Sequence, residues 1–214
     1  SETWRAEHEP QAVTWDQVAH IAASKFCMWH RFSKEGLPVC LLLPRNHWNS
    51  MPIEDCEKFT MFFFENGVRS MHFPVQQFVV LFDMENLGRK NWSLKFVSKM
   101  VKVLQHCYPG RLRACYILNA GFLFRMLYKI VKVMLDPITR SKVFIVTQKE
   151  QKAVLGDLMD PEDLPEQYGG LCPCNMEPLS GAEEADPRDY DPRLQESYAG
   201  SDTLQDCEVT PAAS

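Results

Sequence analysis

Residues 108–146 read YPGRLRACYILNAGFLFRMLYKIVKVMLDPITRSKVFIV, and this stretch decides the fold. Arg113–Leu118 is a short apolar run with aromatic and β-branched residues. Pro109-Gly110 precedes it and Asn119-Ala120-Gly121 follows, the signature of a buried strand. Phe122–Leu135 is too long for one strand and lacks alternation. Leu123, Met126, Leu127, Ile130, Val131 and Met134 recur at helical spacing, which predicts a helix with these residues on one face. Arg125, Lys129 and Lys132 form a separate cationic stripe. Asp136-Pro137 predicts the end of that helix. Lys142–Val146 then begins a second buried strand. The helix carries more apolar bulk than one face needs, in Phe122, Phe124, Tyr128, Val133 and Leu135. Two readings stay open from pattern alone: a buried crossover helix, or a cover over something apolar that is not protein.

Working outward, the same alternation continues. Trp15–Lys25 reads as an amphipathic helix with Thr14 as N-cap. Cys27–Phe32 and Leu37–Leu43 read as a hairpin closed by Ser33-Lys34-Glu35-Gly36. Ile53–Ser70 reads as a helix carrying Phe59, Phe62, Phe63 and Phe64. Phe78–Phe82 is a doubly buried strand ending at Asp83. Ser93 caps a helix over Leu94–Cys107, with Leu94, Val97, Val101 and Leu104 as its core face and Lys95, Lys99 and Lys102 outside. Glu150–Met159 is a last helix. Strands alternating with helices predict an α/β fold with a mostly parallel sheet flanked by helices.

The chain has 214 residues, 45% hydrophobic and 24% charged, enough for one domain with a core. The net charge of −5 is uneven. Residues 171–214 carry ten acidic and two basic side chains, and the rest is net +3. The expected division is a loose segment over 1–13, a domain over 14–170 and a disordered acidic tail over 171–214. A balance of +3 is too weak to point to nucleic acid. The eight cysteines include no Cys-x-x-Cys and no zinc-type spacing with histidine. Cys172-Pro173-Cys174 is the one tempting metal or redox pair, and no cofactor or metal is expected. No signal-peptide core and no apolar run near twenty residues is present, so cytoplasmic residence, peripheral to membranes, is expected. There is no phosphate loop, dinucleotide fingerprint or nucleophile elbow. His106 beside Cys107 points away from it on a helix, and Asp83 at a strand end reads as a loop cap. No catalytic residues emerge, and an enzyme is not expected.

Tyr108-Pro109-Gly110-Arg111-Leu112, Leu135-Asp136-Pro137-Ile138-Thr139, Ser141-Lys142 and Leu164-Pro165-Glu166-Gln167-Tyr168-Gly169-Gly170, in this order, resemble the CRAL-TRIO lipid-binding domain family over about residues 14–170. The resemblance implies a sheet floor and a helical gate enclosing an apolar pocket, in which a lipid or similar hydrophobic ligand is carried and not transformed. It implies a gate and membrane-contact helix with Phe122, Arg125, Met126, Lys129, Lys132 and Leu135. It implies lipid contacts from Lys142, Arg111, Phe78, Val80, Phe82, Tyr108, Tyr116, Phe124 and Tyr128. In phosphatidylinositol-transfer members the lysine at Lys142 meets the inositol phosphate. The glutamate of those members is here Gly110, their phosphocholine Ser and Thr are Phe78 and Val80, and their Arg before the Pro-Val is Leu37. The Pro of their Asn-Ala-Pro turn is Gly121. The helical lobe that precedes the domain in that family has no counterpart in these residues. Some relatives of the fold bind small GTPases or other protein partners instead of lipid, which makes a scaffold the alternative.

Overall fold

The structure is a computed structural model, and it describes residues 13–71, 74–91, 93–179 and Ala185. Five short apolar runs become β1 (Cys27–Phe32), β2 (Pro38–Leu42), β3 (Phe78–Asp83), β4 (Leu112–Leu118) and β5 (Val143–Ile145). They lie side by side in chain order. β1 and β2 are antiparallel, and every later pair is parallel. The hairpin closes where Ser33 N–H donates to the Leu37 carbonyl at 2.8 Å. Gly36 takes φ +72° there, a conformation open to glycine and strained for other residues.

A parallel neighbour cannot be reached by a tight turn, so each later step uses a helical crossover. These are α2 (Ile53–Ser70), α3 (Leu94–Cys107), and α4 (Phe122–Val131) with α5 (Pro137–Ser141). α1 (Trp15–Ala22) precedes the sheet and α6 (Gln148–Leu158) follows it. The capping residues act as the sequence suggests. Ser93 Oγ accepts from Phe96 N–H at 3.3 Å. Gln17 accepts from Thr14 N–H at 3.1 Å, which closes the capping box of α1.

The core is aromatic at its centre. The Trp29 ring stacks on Phe63 at 4.6 Å between centroids and meets Phe78 edge-on at 5.6 Å. Phe63 and Gly67 lie one helical turn apart on α2, beneath the same indole. A Cβ on Gly67 would stand 2.0 Å from the indole, so only glycine lets the helix come this close.

Four expectations are corrected. The core face of α3 is Met100, Val103 and Cys107, while Leu94 is 44% exposed. The helix is rotated, which half-buries Lys99 and pairs its ammonium with Glu57 of α2. Asp136-Pro137 starts a helix instead of ending one: Asp136 Oδ1 accepts from Thr139 N–H at 2.9 Å, and proline fills the first helical position of α5. α4 itself ends at Val131, four residues before the expected Leu135. Finally, β5 is a three-residue edge strand with Phe144 and Ile145 exposed, because only β4 flanks it.

The packed unit runs past Gly170. Lys25 Nζ donates to the Asn175 carbonyl at 2.9 Å, Asn46 Nδ2 to the Met176 carbonyl at 2.8 Å, and Leu179 N–H to the Ala23 carbonyl at 2.8 Å. Residues 1–12, and most of 180–214 where the acidic tail is expected, lie outside the described residues. Among the described residues no helix is long and apolar enough to cross a membrane.

Candidate functional site

Side chains alternate across a strand, so Phe78, Val80 and Phe82 of β3 share one face of the sheet. The register brings Cys40, Val80, Cys115 and Val143 into one row on that face, with Trp29 at its end. The amino-terminal part of the face is filled with protein. Phe78 is buried between Trp29 and Phe64, and Phe64 in turn packs against Tyr108 at 5.4 Å. The Tyr108 hydroxyl donates to Glu65 Oε1 at 3.0 Å on α2. Phe78 and Tyr108, two of the expected contacts, are therefore joined in one aromatic cluster with Trp29 and Phe63. Val80 is buried and Phe82 half-buried further along the strand. Tyr116 does not join them. It is adjacent to Cys115, so it faces the other way, and it stacks on Phe144 of β5 at 5.6 Å.

α4 has two unlike sides. Phe124 is buried and stacks on half-buried Tyr128 at 5.6 Å. Phe124 belongs to the core cluster that includes Cys115, and Tyr128 packs against it; burial, and then the Cys115 thiol, push the Tyr128 hydroxyl pKa up. The other side presents Phe122, Met126 and Ile130 to solvent at 80%, 53% and 46% exposure, and Val133 follows in the next turn at 69%. This corrects the expected single face, since Met126 and Ile130 point out while the two aromatic rings, with more apolar area to bury, take the inside. The cations Arg125, Lys129 and Lys132 are all exposed along the outer stripe, and Leu135 is half-buried.

Lys142 follows α5 and enters β5. Its ammonium donates to the Leu112 carbonyl, and its own carbonyl accepts from Cys115 N–H at 2.8 Å. The lysine thus meets a backbone dipole beside the start of β4. An open groove of about 570 Å³ runs along the amino ends of β2, β3 and β4, lined by Glu35, Leu37, residues 74–77 and residues 109–111, and Lys142 is not part of its lining. Arg111 lines this groove and donates to the Gln76 carbonyl at 3.1 Å. Gly110 and Leu37, two of the five small or apolar substitutes noted in the sequence, line it too.

The carboxyl end of β3 is organised by Asp83, which is fully buried. Its Oδ2 accepts from Arg45 Nη1 at 2.7 Å and from the Tyr168 hydroxyl at 3.0 Å. Its Oδ1 accepts from Asn119 Nδ2 at 2.8 Å and from Glu85 N–H at 3.0 Å. Burial and the Asp83 charge raise the Tyr168 pKa. Burial works against the Arg45 charge, but the Asp83 bond outweighs it and raises that pKa as well. Four donors on one carboxylate leave it no lone pair aimed at a substrate, which makes it the knot joining three loops. Sequence reading misses Arg45, because nothing in its neighbourhood marks a partner 38 residues away.

Comparison with known proteins agrees with this geometry. The family model for the CRAL/TRIO domain matches residues 22–170. The phosphatidylinositol/phosphatidylcholine transfer protein SFH7 of Arabidopsis thaliana is 27% identical over 162 residues, covering 68% of this chain and 29% of that protein. SFH12 of the same plant, described by the same activity, is 35% identical over 103 residues, covering 47% of this chain and 19% of its own length. The chain therefore spans under a third of the length of these curated relatives. Among solved structures, the crystal structure of Sfh5 superposes with a TM-score of 0.61 at 16% identity, over 84% of this chain and 69% of that one, a likeness of fold. The collinear motifs, the mixed five-stranded sheet and a family match over most of the chain lead to one conclusion: this chain belongs to the CRAL/TRIO domain family.

Proposed function

We propose that residues 14–170, with the packed 171–179 segment, form a module that binds a lipid or other small hydrophobic ligand between α4 and the Val80–Cys115 face, and carries or senses it at membranes without transforming it. One observation supports this most: α4 is apolar on both sides, with Phe124 and Tyr128 inward and Phe122, Met126 and Ile130 outward. A crossover helix of a soluble domain has no use for the outer stripe. A helix that covers a ligand and rests on a bilayer uses both, and each exposed cation near an anionic leaflet adds about 1 kcal/mol. The relatives described as phosphatidylinositol/phosphatidylcholine transfer proteins favour a phospholipid. On this reading Phe122, Arg125, Met126, Lys129 and Lys132 touch the membrane, and Val80, Phe82, Phe124 and Tyr128 touch acyl chain. Arg111 meets an anionic headgroup in the amino-end groove, and Lys142 would leave the Leu112 carbonyl to reach it.

The test is native mass spectrometry of the purified chain, followed by extraction and lipid identification. A co-purifying lipid is expected. A ligand-free protein that also takes up no phospholipid from vesicles would overturn the reading. Lys142→Ala should weaken binding of a phosphoinositide, and unchanged binding would point to a neutral ligand.

A second reading, a protein-binding scaffold of the same fold, is favoured by the filled aromatic cluster. Phe78, which stands at one of the Ser/Thr positions of the resemblance, packs against Trp29 and Phe64, with Phe63 and Tyr108 completing the cluster. A stable protein partner in a pull-down, with no lipid bound, would decide for it.

A further inference from the structure

His30 lies on β1, and Cys172 and Cys174 follow α6 near the end of the described chain. The fold brings the three together, with their ligand-capable atoms all within 4.8 Å of one another. His30 and Cys172 are buried and Cys174 is half-buried. The His30 Nε2 and the Asp163 carbonyl are 2.7 Å apart. A carbonyl only accepts, so Nε2 carries the proton and the lone pair is on Nδ1. A ring held in one neutral tautomer by a backbone carbonyl is the usual support of a metal-bound histidine. Neither cysteine is in a disulfide. Zn–S and Zn–N bonds of about 2.3 and 2.0–2.1 Å put neighbouring ligand atoms roughly 3.3–3.8 Å apart. The trio therefore has to contract by at most ~1.5 Å on its widest side.

We propose that His30, Cys172 and Cys174 form a three-ligand Zn²⁺ site, unconnected with the ligand face under α4. Two thiolates and one imidazole match the borderline softness of this ion, and hard cations that require oxygen are excluded by the donor set. On binding, each thiol gives its proton to solvent and two S–Zn bonds form with one N–Zn bond. No electron is transferred. Three protein ligands leave a fourth position to water. The ion would fasten the 172–174 segment to β1 and, through His30, to the Asp163 turn. Half-buried Cys174 is the entry side. Cys172 and Cys174 alone, separated by one proline, carry no zinc signature; the third ligand comes from the other end of the chain.

The test uses the full chain, reduced and stripped with chelator, and Zn²⁺ alone as the probe. Competition against a chromophoric chelator should show a single tightly held Zn²⁺ per chain. Co²⁺ in its place should give a near-ultraviolet thiolate-to-metal band. Cys174→Ser and Cys172→Ser should each weaken Zn²⁺ at least ~10-fold and remove most of that band. Melting in chelator serves as the folding control. Cys174→Ser should melt with wild type there, yet lose the rise in melting temperature that Zn²⁺ gives wild type. The proposal is overturned if the Cys172→Ser/Cys174→Ser double variant binds Zn²⁺ as wild type does. It is equally overturned if wild type binds none, or if freshly isolated protein holds a Cys172–Cys174 disulfide that Zn²⁺ cannot compete with after mild reduction.

Discussion

Replacing Asp83 with asparagine keeps the shape of the side chain and removes its charge and one acceptor oxygen. The carboxylate takes two hydrogen bonds at each oxygen, from Arg45 and Tyr168 at one and from Asn119 and Glu85 at the other. An amide keeps one oxygen, so two of the four donors must face an N–H₂ group. A buried donor left without its acceptor costs about 1–3 kcal/mol. The Arg45 side chain is only 11% exposed, so water can replace little of the lost counter-charge. Breaking one side of such a pair costs about 3–5 kcal/mol, and we expect Asp83→Asn to fall in that range. At about 2–4 °C per kcal/mol for a domain of this size, the melting temperature should drop roughly 10–15 °C. Calorimetry or circular dichroism reads the drop. Hydrogen exchange should report the cause, because Gly169 and Gly170 lose the anchor that Tyr168 gives their turn. A melting temperature within ~2 °C of wild type, or unchanged exchange at that turn, would refute the account of Asp83 as the knot of the sheet's carboxyl end.

Gly67→Ala gains about 1 kcal/mol of helix propensity, yet its methyl meets a fully buried Trp29 ring, so we expect a net loss of ~1–3 kcal/mol in urea unfolding and an altered tryptophan near-ultraviolet signal. Asp136→Asn should destabilise at neutral pH. The bonds from Thr139 and Gln105 hold the Asp136 carboxyl below its ordinary pKa. A depressed folded-state pKa means stability present above the unfolded value, about pH 4, and lost as pH falls through the folded one. The melting-temperature gap between wild type and variant should therefore close in strong acid. A gap independent of pH would contradict the assignment. Phe122→Asp should leave stability within about 0.5 kcal/mol, since the ring is in solvent. Sedimentation with anionic vesicles should show binding reduced roughly tenfold or more, the worth of one buried aromatic ring.

Much of the architecture was legible where local rules agree. α2 and α3 begin and end where the sequence reading puts them, because Ser93, the aromatic periodicity of Phe59 and Phe63, and the Cys107–Tyr108–Pro109 break all point the same way. The faces were less legible than the bounds. α3 offers apolar residues on two sides, and the choice of Met100 and Val103 over Val97 and Val101 depends on where Glu57 waits for Lys99. α4 is ambiguous for a similar reason, since almost any rotation buries something apolar. Asp136-Pro137 reads equally as a stop or a start in sequence, and the structure uses only the start, since α4 has already ended at Val131. The Asp83 knot and the His30–Cys172–Cys174 trio were illegible, since each is assembled from segments that meet only in three dimensions.

The row of thiols across the sheet makes the protein its own clock. Cys27 and Cys40 stand 3.9 Å apart in the interior, and Cys115 shares the row of Cys40, in the core cluster against which Tyr128 of α4 packs. Burial pushes the Cys27 thiol up and that of Cys115 up to about 12, so in the folded protein neither reacts at an appreciable rate with a thiol reagent. All three thiols are buried, and on the gate reading proposed above lifting α4 would expose Cys115 while Cys27 and Cys40 stay inside the core. The ratio of their labelling rates would then report the opening proposed for α4 in unmodified protein, with a membrane or a ligand present or absent, and with no spectroscopic probe attached.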